Sequence, residues 1–398
     1  MSQIRSEVLY ISLDGILDPL GYSQVLKYLQ HLSNEHKINL ITFEKKDNLD
    51  NPSALAKAKL DCLSHNICWY KLKYRNGFLG LGQILNILNI LFFPIIIFIK
   101  KNISLVHIRS YMPGITIPFL KIFFKFKLIF DIRGFWPDEK HDRLGWDQIS
   151  FKYKFFKRLE VYLMDNADCI ITLTHASKKI IKKNFRISDT NIEVIPTCVD
   201  FNEFKLIKNR EDDDELFTIG YLGSADTAYD FKKFCFLVDQ IQVYLDKKIN
   251  LKVLTSSSFD EIARSCSFKN YDKVKLEVKF VERQSLSHEI SSFNLLGFFL
   301  KENFSVQASM PTKIGEVLAC GIPLICNSFN SDIEKLVNEN KVGLTYDFRK
   351  QLTNKDLNRI FELIYDPNTS LNCINTAKSY FSLHEGSLKY NRIYSKFV

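Results

Sequence analysis

The chain of 398 residues is 46% hydrophobic, 25% charged and 13% aromatic. At roughly 150 residues per domain, that length predicts two large domains with substantial cores and excludes a disordered chain. Fifteen Gly and ten Pro are too few for a fibrous or low-complexity protein. The net charge of +9 is unevenly placed. Residues 1–200 hold 28 of the 54 Lys and Arg but only 19 of the 45 Asp and Glu, whereas residues 201–398 hold 26 of each. A surplus confined to the first half favours an anionic partner there. The nine Cys are scattered, with no Cys-x-x-Cys pair, and so predict reduced, mostly buried thiols in a cytosolic protein.

Residues 1–7 are polar and run directly into a strand-like segment, so no signal peptide is expected. Short runs rich in β-branched and aromatic residues then predict strands at 8–13, 38–43, 67–73, 104–108, 128–132, 169–173 and 193–195. Helical periodicity fills several gaps, including 23–33 and 153–166. The run at 85–99 (LNILNILFFPIIIFI) is shorter than the ~20 residues of a spanning helix, and Asn86, Asn89 and Pro94 interrupt it. It is expected either as a buried core helix or as a helix lying in the interface of an anionic membrane. The Phe/Lys-rich runs 119–127 and 151–158 suit such a surface too.

The acidic, non-periodic stretch 209–215 predicts a break between domains. Six more strands are expected beyond it, at 217–222, 251–254, 274–281, 295–300, 323–326 and 343–346. Strands alternating with helices imply parallel sheets covered on both faces, hence two doubly wound α/β domains. We expect an N-terminal domain over 1–200, a linker at 201–215, a second domain over 216–380 and a C-terminal helix over 381–398. In such sheets ligands lie at the carboxyl ends of the strands.

Four strand ends carry candidate chemistry. After the first strand, Gly15 and Gly21 allow close backbone approach, Ser23 is a candidate helix cap, and the loop offers amides to a phosphate. After 128–132 come Arg133, Trp136, Asp138, Glu139 and His141; a guanidinium there pairs with phosphate, and a carboxylate orders an acceptor hydroxyl. His107 and Arg109 end the preceding strand and read as a satisfied structural pair. After 217–222, Gly223 and Ser224 form a small-residue loop. The segment 309–324 places Pro311 before a helix beginning near Lys313, with Thr312 as its candidate cap and Gly321 as its stop. The free amides and positive pole of that helix, with the Lys313 ammonium, suit a pyrophosphate, and Glu316 one turn on suits a ribose diol.

Four of these motifs carry a resemblance. Thr312-Lys313-x-x-Glu316-x-x-Ala319-x-Gly321-x-Pro323 resembles the donor-nucleotide signature of retaining GT-B glycosyltransferases of family four. The segment from Tyr10 to Val25, Asp131-x-Arg133-Gly134-Phe135-Trp136-x-Asp138-Glu139, and Ile195-Pro196-x-x-Val199-Asp200 resemble a bacterial surface-polysaccharide subgroup of it. The resemblance implies two Rossmann-like domains with a cleft between them, a nucleotide sugar held mainly by the second, and a C-terminal segment returning to the first. Glu316 would then hold the ribose, and Lys313, Lys301, Pro311, Thr312, Gly223 and Ser224 the diphosphate side. Gly21 would face the phosphates from across the cleft, while Arg133, Asp138 and Lys313 would serve catalysis. Many members carry Glu-x7-Glu, the first Glu contacting the transferred sugar; here the position with seven residues between it and Glu316 is Ala308.

The implied activity is metal-independent glycosyl transfer, with retention, from a nucleotide-diphosphate sugar to a lipid-linked or saccharide acceptor. It would need no cofactor and would act in the cytoplasm, peripherally on the inner membrane face through the basic half. A sugar-nucleotide epimerase of the same fold and a non-catalytic membrane-associated assembly subunit are the alternatives. Nucleic acid is not an expected partner, because the basic residues interleave with apolar runs.

Overall fold

The computed structural model describes residues 7–76, 80–185, 191–207, 217–225, 228–245, 247–266, 268, 271–347, 349–350 and 352–397. The chain divides into two compact units, Met1–Pro196 with Leu383–Val398, and Thr197–Ser382. The division therefore falls at Pro196, ahead of the boundary at 200 expected from sequence. Residues 201–207 belong to the second unit, where Phe204 is fully buried, because Glu203 and Phe204 pack against it. The acidic stretch 209–215 lies outside the described residues.

The first unit runs β1 (Glu7–Ser12), α1 (Pro19–Gly21), α2 (Lys27–Leu32), β2 (Lys37–Glu44), α3 (Lys46–Leu49), α4 (Pro52–Ser64), β3 (Ile67–Lys73) and α5 (Leu81–Lys100). It continues through β4 (Ile103–Arg109), 3₁₀ turns at Met112–Ile115 and Ile117–Ile122, β5 (Lys127–Asp131), α6 (Trp136–Leu144), α7 (Phe151–Asn166), β6 (Cys169–Thr172), α8 (His175–Phe185) and β7 (Ile192–Val194). The second unit holds β8 (Phe217–Leu222), α9 (Phe231–Leu245), β9 (Ile249–Leu254), α10 (Phe259–Ser265), β10 (Val274–Lys279), α11 (Arg283–Ser291) and β11 (Leu295–Phe298). It ends with α12 (Thr312–Ala319), β12 (Leu324–Asn327), α13 (Ser331–Glu339), β13 (Gly343–Tyr346), α14 (Asn354–Tyr365) and α15 (Pro367–Phe381). The last helix, α16 (Leu383–Phe397), belongs to the first unit.

Every predicted strand forms, within two residues of its expected span. The strand order is β3-β2-β1-β4-β5-β6-β7 in one sheet and β10-β9-β8-β11-β12-β13 in the other, with all pairs parallel. Both are doubly wound Rossmann-like orders, which reverse direction between β1 and β4 and between β8 and β11. Strands such as β1 (EVLYIS) and β4 (ISLVHIR) are buried on both faces, which is why apolar residues follow one another in them and do not alternate with polar ones.

Two local expectations are corrected. Ser23 is no cap: it lies inside a π-helical turn at Tyr22–Leu26, and its hydroxyl donates back to the Pro19 carbonyl at 2.9 Å. Thr312 is the first residue of α12; Pro311 holds the cap position, with no side-chain hydrogen bond. The run 85–99 lies in α5, with Asn86, Ile90, Pro94, Ile97 and Phe98 buried and the opposite side exposed, so it is not a fully buried core helix.

Candidate functional site

In the second unit the direction change between β8 and β11 is where the strongest arrangement forms. The backbone of residues 228–230 zips onto the end of β11: Asp230 N–H donates to the Phe299 carbonyl at 2.8 Å and Lys301 N–H to the Ala228 carbonyl at 2.9 Å. This carries Tyr229 in beside Tyr221, near the end of β8, and Phe298, the last residue of β11. Lys313, in the first turn of α12, extends its ammonium onto these rings. Its Nζ lies 3.6 Å from the Tyr229 ring centroid, 5.0 Å from Tyr221 and 5.6 Å from Phe298.

Lys313 is 5% exposed, and its Nζ has no hydrogen-bond partner among the described residues. Aromatic faces attract a cation but satisfy none of its three donors. Burial pushes the Lys313 ammonium down to about 7, against the opposing pull of Glu316. A side chain at Gly223 would place its Cβ 3.4 Å from Nζ, and Gly223 sits at φ +106, so the loop after β8 approaches the ammonium as backbone. Ser224 is part of that loop, its carbonyl accepting from Tyr221 Oη at 2.8 Å. Asp226, which ends the same loop motif, lies outside the described residues.

Glu316 lies one turn further along α12 and is buried. Arg283 Nη1 donates to its Oε1 at 3.0 Å, while Arg283 Nε donates to Glu203 at 2.8 Å and the guanidinium stacks 5.0 Å from the Phe204 ring. Burial raises the Glu316 carboxyl above its ordinary range, and Arg283 counters it. The guanidinium is itself raised: burial disfavours it, and Glu316 and Glu203 outweigh that. Thus Lys313, Glu316, Gly223, Thr312 and Pro311 gather around one end of α12, and Lys301 follows the neighbouring strand end. Ala308 is fully buried. Sequence reasoning missed Tyr221, Tyr229, Arg283 and Glu203; only aromatic residues at a strand end gave any signal.

In the first unit the corresponding reversal, between β1 and β4, is filled by charge. Arg109 Nε donates to Asp14 at 3.0 Å, and Arg109 Nη1 and Arg133 Nη1 each lie 3.6 Å from Asp131 Oδ2. Tyr390 Oη of α16 donates to the same oxygen at 3.1 Å, and Tyr394 Oη lies 2.7 Å from His107 Nδ1. Asp131 is fully buried; burial alone would raise its carboxyl, but Arg133, His107 and Arg109 pull it down to about 2. Arg133 adopts φ +54, a left-handed conformation costly for a residue with a Cβ.

Asp138 is not brought to Arg133. Both its oxygens are held by α7, accepting from Tyr153 Oη at 2.6 Å and Lys157 Nζ at 3.0 Å. The amides expected to cradle a phosphate after β1 are also taken: Ile16 and Leu17 N–H donate to the buried Glu44 carboxylate at 2.9 and 3.2 Å. Gly21 is required by packing, since a Cβ there would stand 1.9 Å from the Gly15 carbonyl oxygen. Among the described residues, no group of three or more His, Cys, Asp or Glu is arranged to hold a metal ion. The cysteines are free thiols, and all but Cys68 are buried.

Residues 24–203 match the model of Glycosyltransferase Family 4. No curated protein sequence matches the chain. Among solved structures, sucrose-phosphate synthase from Thermosynechococcus elongatus superposes with a TM-score of 0.71 at 14% identity, over 98% of this chain and 99% of that one. HepE of Anabaena, solved in complex with UDP, gives 0.65 at 13% identity over 98% and 100%. A glycosyltransferase from Rickettsia africae gives 0.66 at 13% identity, over 99% of each chain. At these identities the shared property is the fold across the full length.

Proposed function

We propose that the protein is a glycosyltransferase whose second unit holds a nucleotide-diphosphate sugar, with Lys313 on the diphosphate and Glu316 on the ribose. The observation that carries this reading is the buried Lys313 ammonium, left without a hydrogen-bond partner among the described residues at the point where a doubly wound sheet takes its ligand. The match of residues 24–203 and the UDP carried by a structure of the same fold support it.

The chemistry follows from charge. Breaking the bond between the sugar and the diphosphate loads negative charge on the leaving phosphate. Lys313 and the first-turn amides of α12, which no side chain caps, meet that charge without a divalent cation. Lys301 adds a second cation at the adjacent strand end. Arg283 fixes the Glu316 carboxylate so that a free oxygen face can accept from a diol. In the first unit Arg133, 12% exposed, is held against the buried Asp131, ready to meet an acceptor phosphate. Transfer proceeds with retention, to a lipid-linked or saccharide acceptor of cell-surface polysaccharide synthesis, at the cytoplasmic face of the membrane.

The test is calorimetric binding of UDP, GDP, ADP and CMP and their sugars to the purified chain, followed by incubation with candidate acceptors. One diphosphate should bind selectively, and binding should fall in Lys313→Ala. The anomeric configuration of the product, read by NMR, tests retention. Absence of binding to any nucleotide in a folded sample would overturn the enzyme reading in favour of a non-catalytic subunit. Conversion of a free nucleotide sugar without acceptor would overturn transfer in favour of epimerisation.

A further inference from the structure

One layer of the first unit is built inside out. The connections β3 to β4, β4 to β5 and β5 to β6 all advance the same way along the sheet, so right-handed crossovers bring α5, the turn Ile117–Ile122 and α7 to a single face. Side-chain contacts join the three. The Phe98 ring of α5 stacks 4.5 Å from Phe124, Phe119 lies 5.8 Å from Tyr162 of α7, and Lys121 donates to the Asn166 carbonyl at 2.8 Å.

A helix on the surface of a soluble protein turns its polar residues outward. In α5 they turn inward: Asn86 is buried and exchanges hydrogen bonds with the Arg75 backbone at 3.0 and 3.2 Å, and Gln83 donates to Tyr74 Oη at 3.2 Å. The exposed side carries Leu81, Leu85, Leu88, Phe92, Ile96 and Ile99, a stripe about 27 Å long at 1.5 Å per residue. Ile122 and Phe123 extend it at 75% and 76% exposure, and Phe151 is 83% exposed. Exposed Lys100, Lys125, Lys152, Lys154 and Arg158 rim this surface. Lys154 and Arg158 line an open groove of about 280 Å³ with Lys157 and Val161, and neither makes an ion pair among the described residues.

We propose that this layer docks on an anionic phospholipid bilayer, with α5 lying in the plane of the headgroups and the α7 cations against lipid phosphates. The helix is long and apolar enough to cross a membrane, yet a third of it is buried, packed along the unit. That packing makes it lie on the bilayer and not cross it. The cationic rim selects the occupant: a second copy docked through the same face would set lysines against lysines, whereas anionic lipid pairs with them. The surface is built by the first unit and Lys313 belongs to the second, so vesicle binding and nucleotide binding are tested independently.

The test is co-sedimentation of the full chain with vesicles of phosphatidylcholine, alone or mixed with phosphatidylglycerol. Binding should be at least roughly tenfold stronger to the anionic vesicles and should weaken with salt. Phe92→Glu with Ile96→Glu should lower it roughly tenfold or more at unchanged melting temperature, because both residues are exposed. Lys154→Gln with Arg158→Gln should remove most of the anionic preference, leaving weak, salt-insensitive binding. Equal or absent binding to both vesicle types overturns the inference. So does a dimer in vesicle-free buffer that Phe92→Glu with Ile96→Glu converts to monomer, which would make the layer an interface between copies.

Discussion

Replacing Lys313 with Met should make the empty protein more stable while abolishing its affinity for a nucleotide-diphosphate sugar. Burial holds the ammonium at about 7 against an ordinary 10.5. The sign follows from proton counting: below 10.5 the unfolded chain binds a proton that the folded state resists, so the wild-type protein is penalised as pH falls from 10.5 toward 7 and the penalty is constant below that. The full penalty is roughly 5 kcal/mol, from 1.36 kcal/mol per pKa unit. Met fills much the same volume and carries no charge to bury, so Lys313→Met should gain about 4–5 kcal/mol at neutral pH, or roughly 8–20 °C in the melting transition of the second unit.

The pH signature separates this from a generic packing gain. Between about pH 7 and pH 9 the wild type should recover roughly 3 kcal/mol relative to the variant, closing more than half of the gap, with the rest recovered toward 10.5. Chemical denaturation at each pH measures it, with calorimetry for the ligand. Donor binding should restore the proton to Lys313, so wild-type affinity should fall about tenfold per pH unit above 7, a trend absent in the variant. A variant less stable than wild type at neutral pH, with a parallel pH dependence, would refute the unpartnered buried ammonium on which the donor site rests.

Two other changes test the first unit. Gly21→Ala puts a Cβ 1.9 Å from the Gly15 carbonyl oxygen, a backbone atom that cannot swing away, so denaturation should show a loss of about 2–4 kcal/mol. Asp131→Asn leaves Arg109 and Arg133 facing a neutral amide in a buried site and should cost about 3–5 kcal/mol. Its wild-type contribution is complete above 3.8 and is lost as pH falls toward about 2, so the melting temperature of the wild type should drop steeply over that acid range and that of the variant should not.

The fold was legible because parallel strands buried on both faces leave continuous apolar runs, and runs such as 217–222 and 343–346 coincide with β8 and β13. The α12 motif was legible in the same way, since Lys313 and Glu316 on successive turns share a helix face. What sequence spacing does not encode is the long-range hydrogen-bond partner. Glu44 stands 27 and 28 residues from the amides it binds, Arg283 lies 33 residues before Glu316, and Tyr390 reaches Asp131 over 259 residues.

Those hidden partners change the meaning of the local motifs. The loop after β1 has the glycines and amides of an anion cradle, but Glu44 is already the anion in it; the Arg133-to-Glu139 loop has the residues of an active site, but α7 holds Asp138. At α12 the opposite holds. The aromatic residues brought to Lys313 from β8 and β11 supply contact without a hydrogen bond or a counter-ion. The buried carboxylates Glu44, Glu316 and Asp131 each find hydrogen-bond partners far along the chain, whereas the buried Lys313 ammonium has none among the described residues and is left to be satisfied from outside, the property that motivates the proposed diphosphate site.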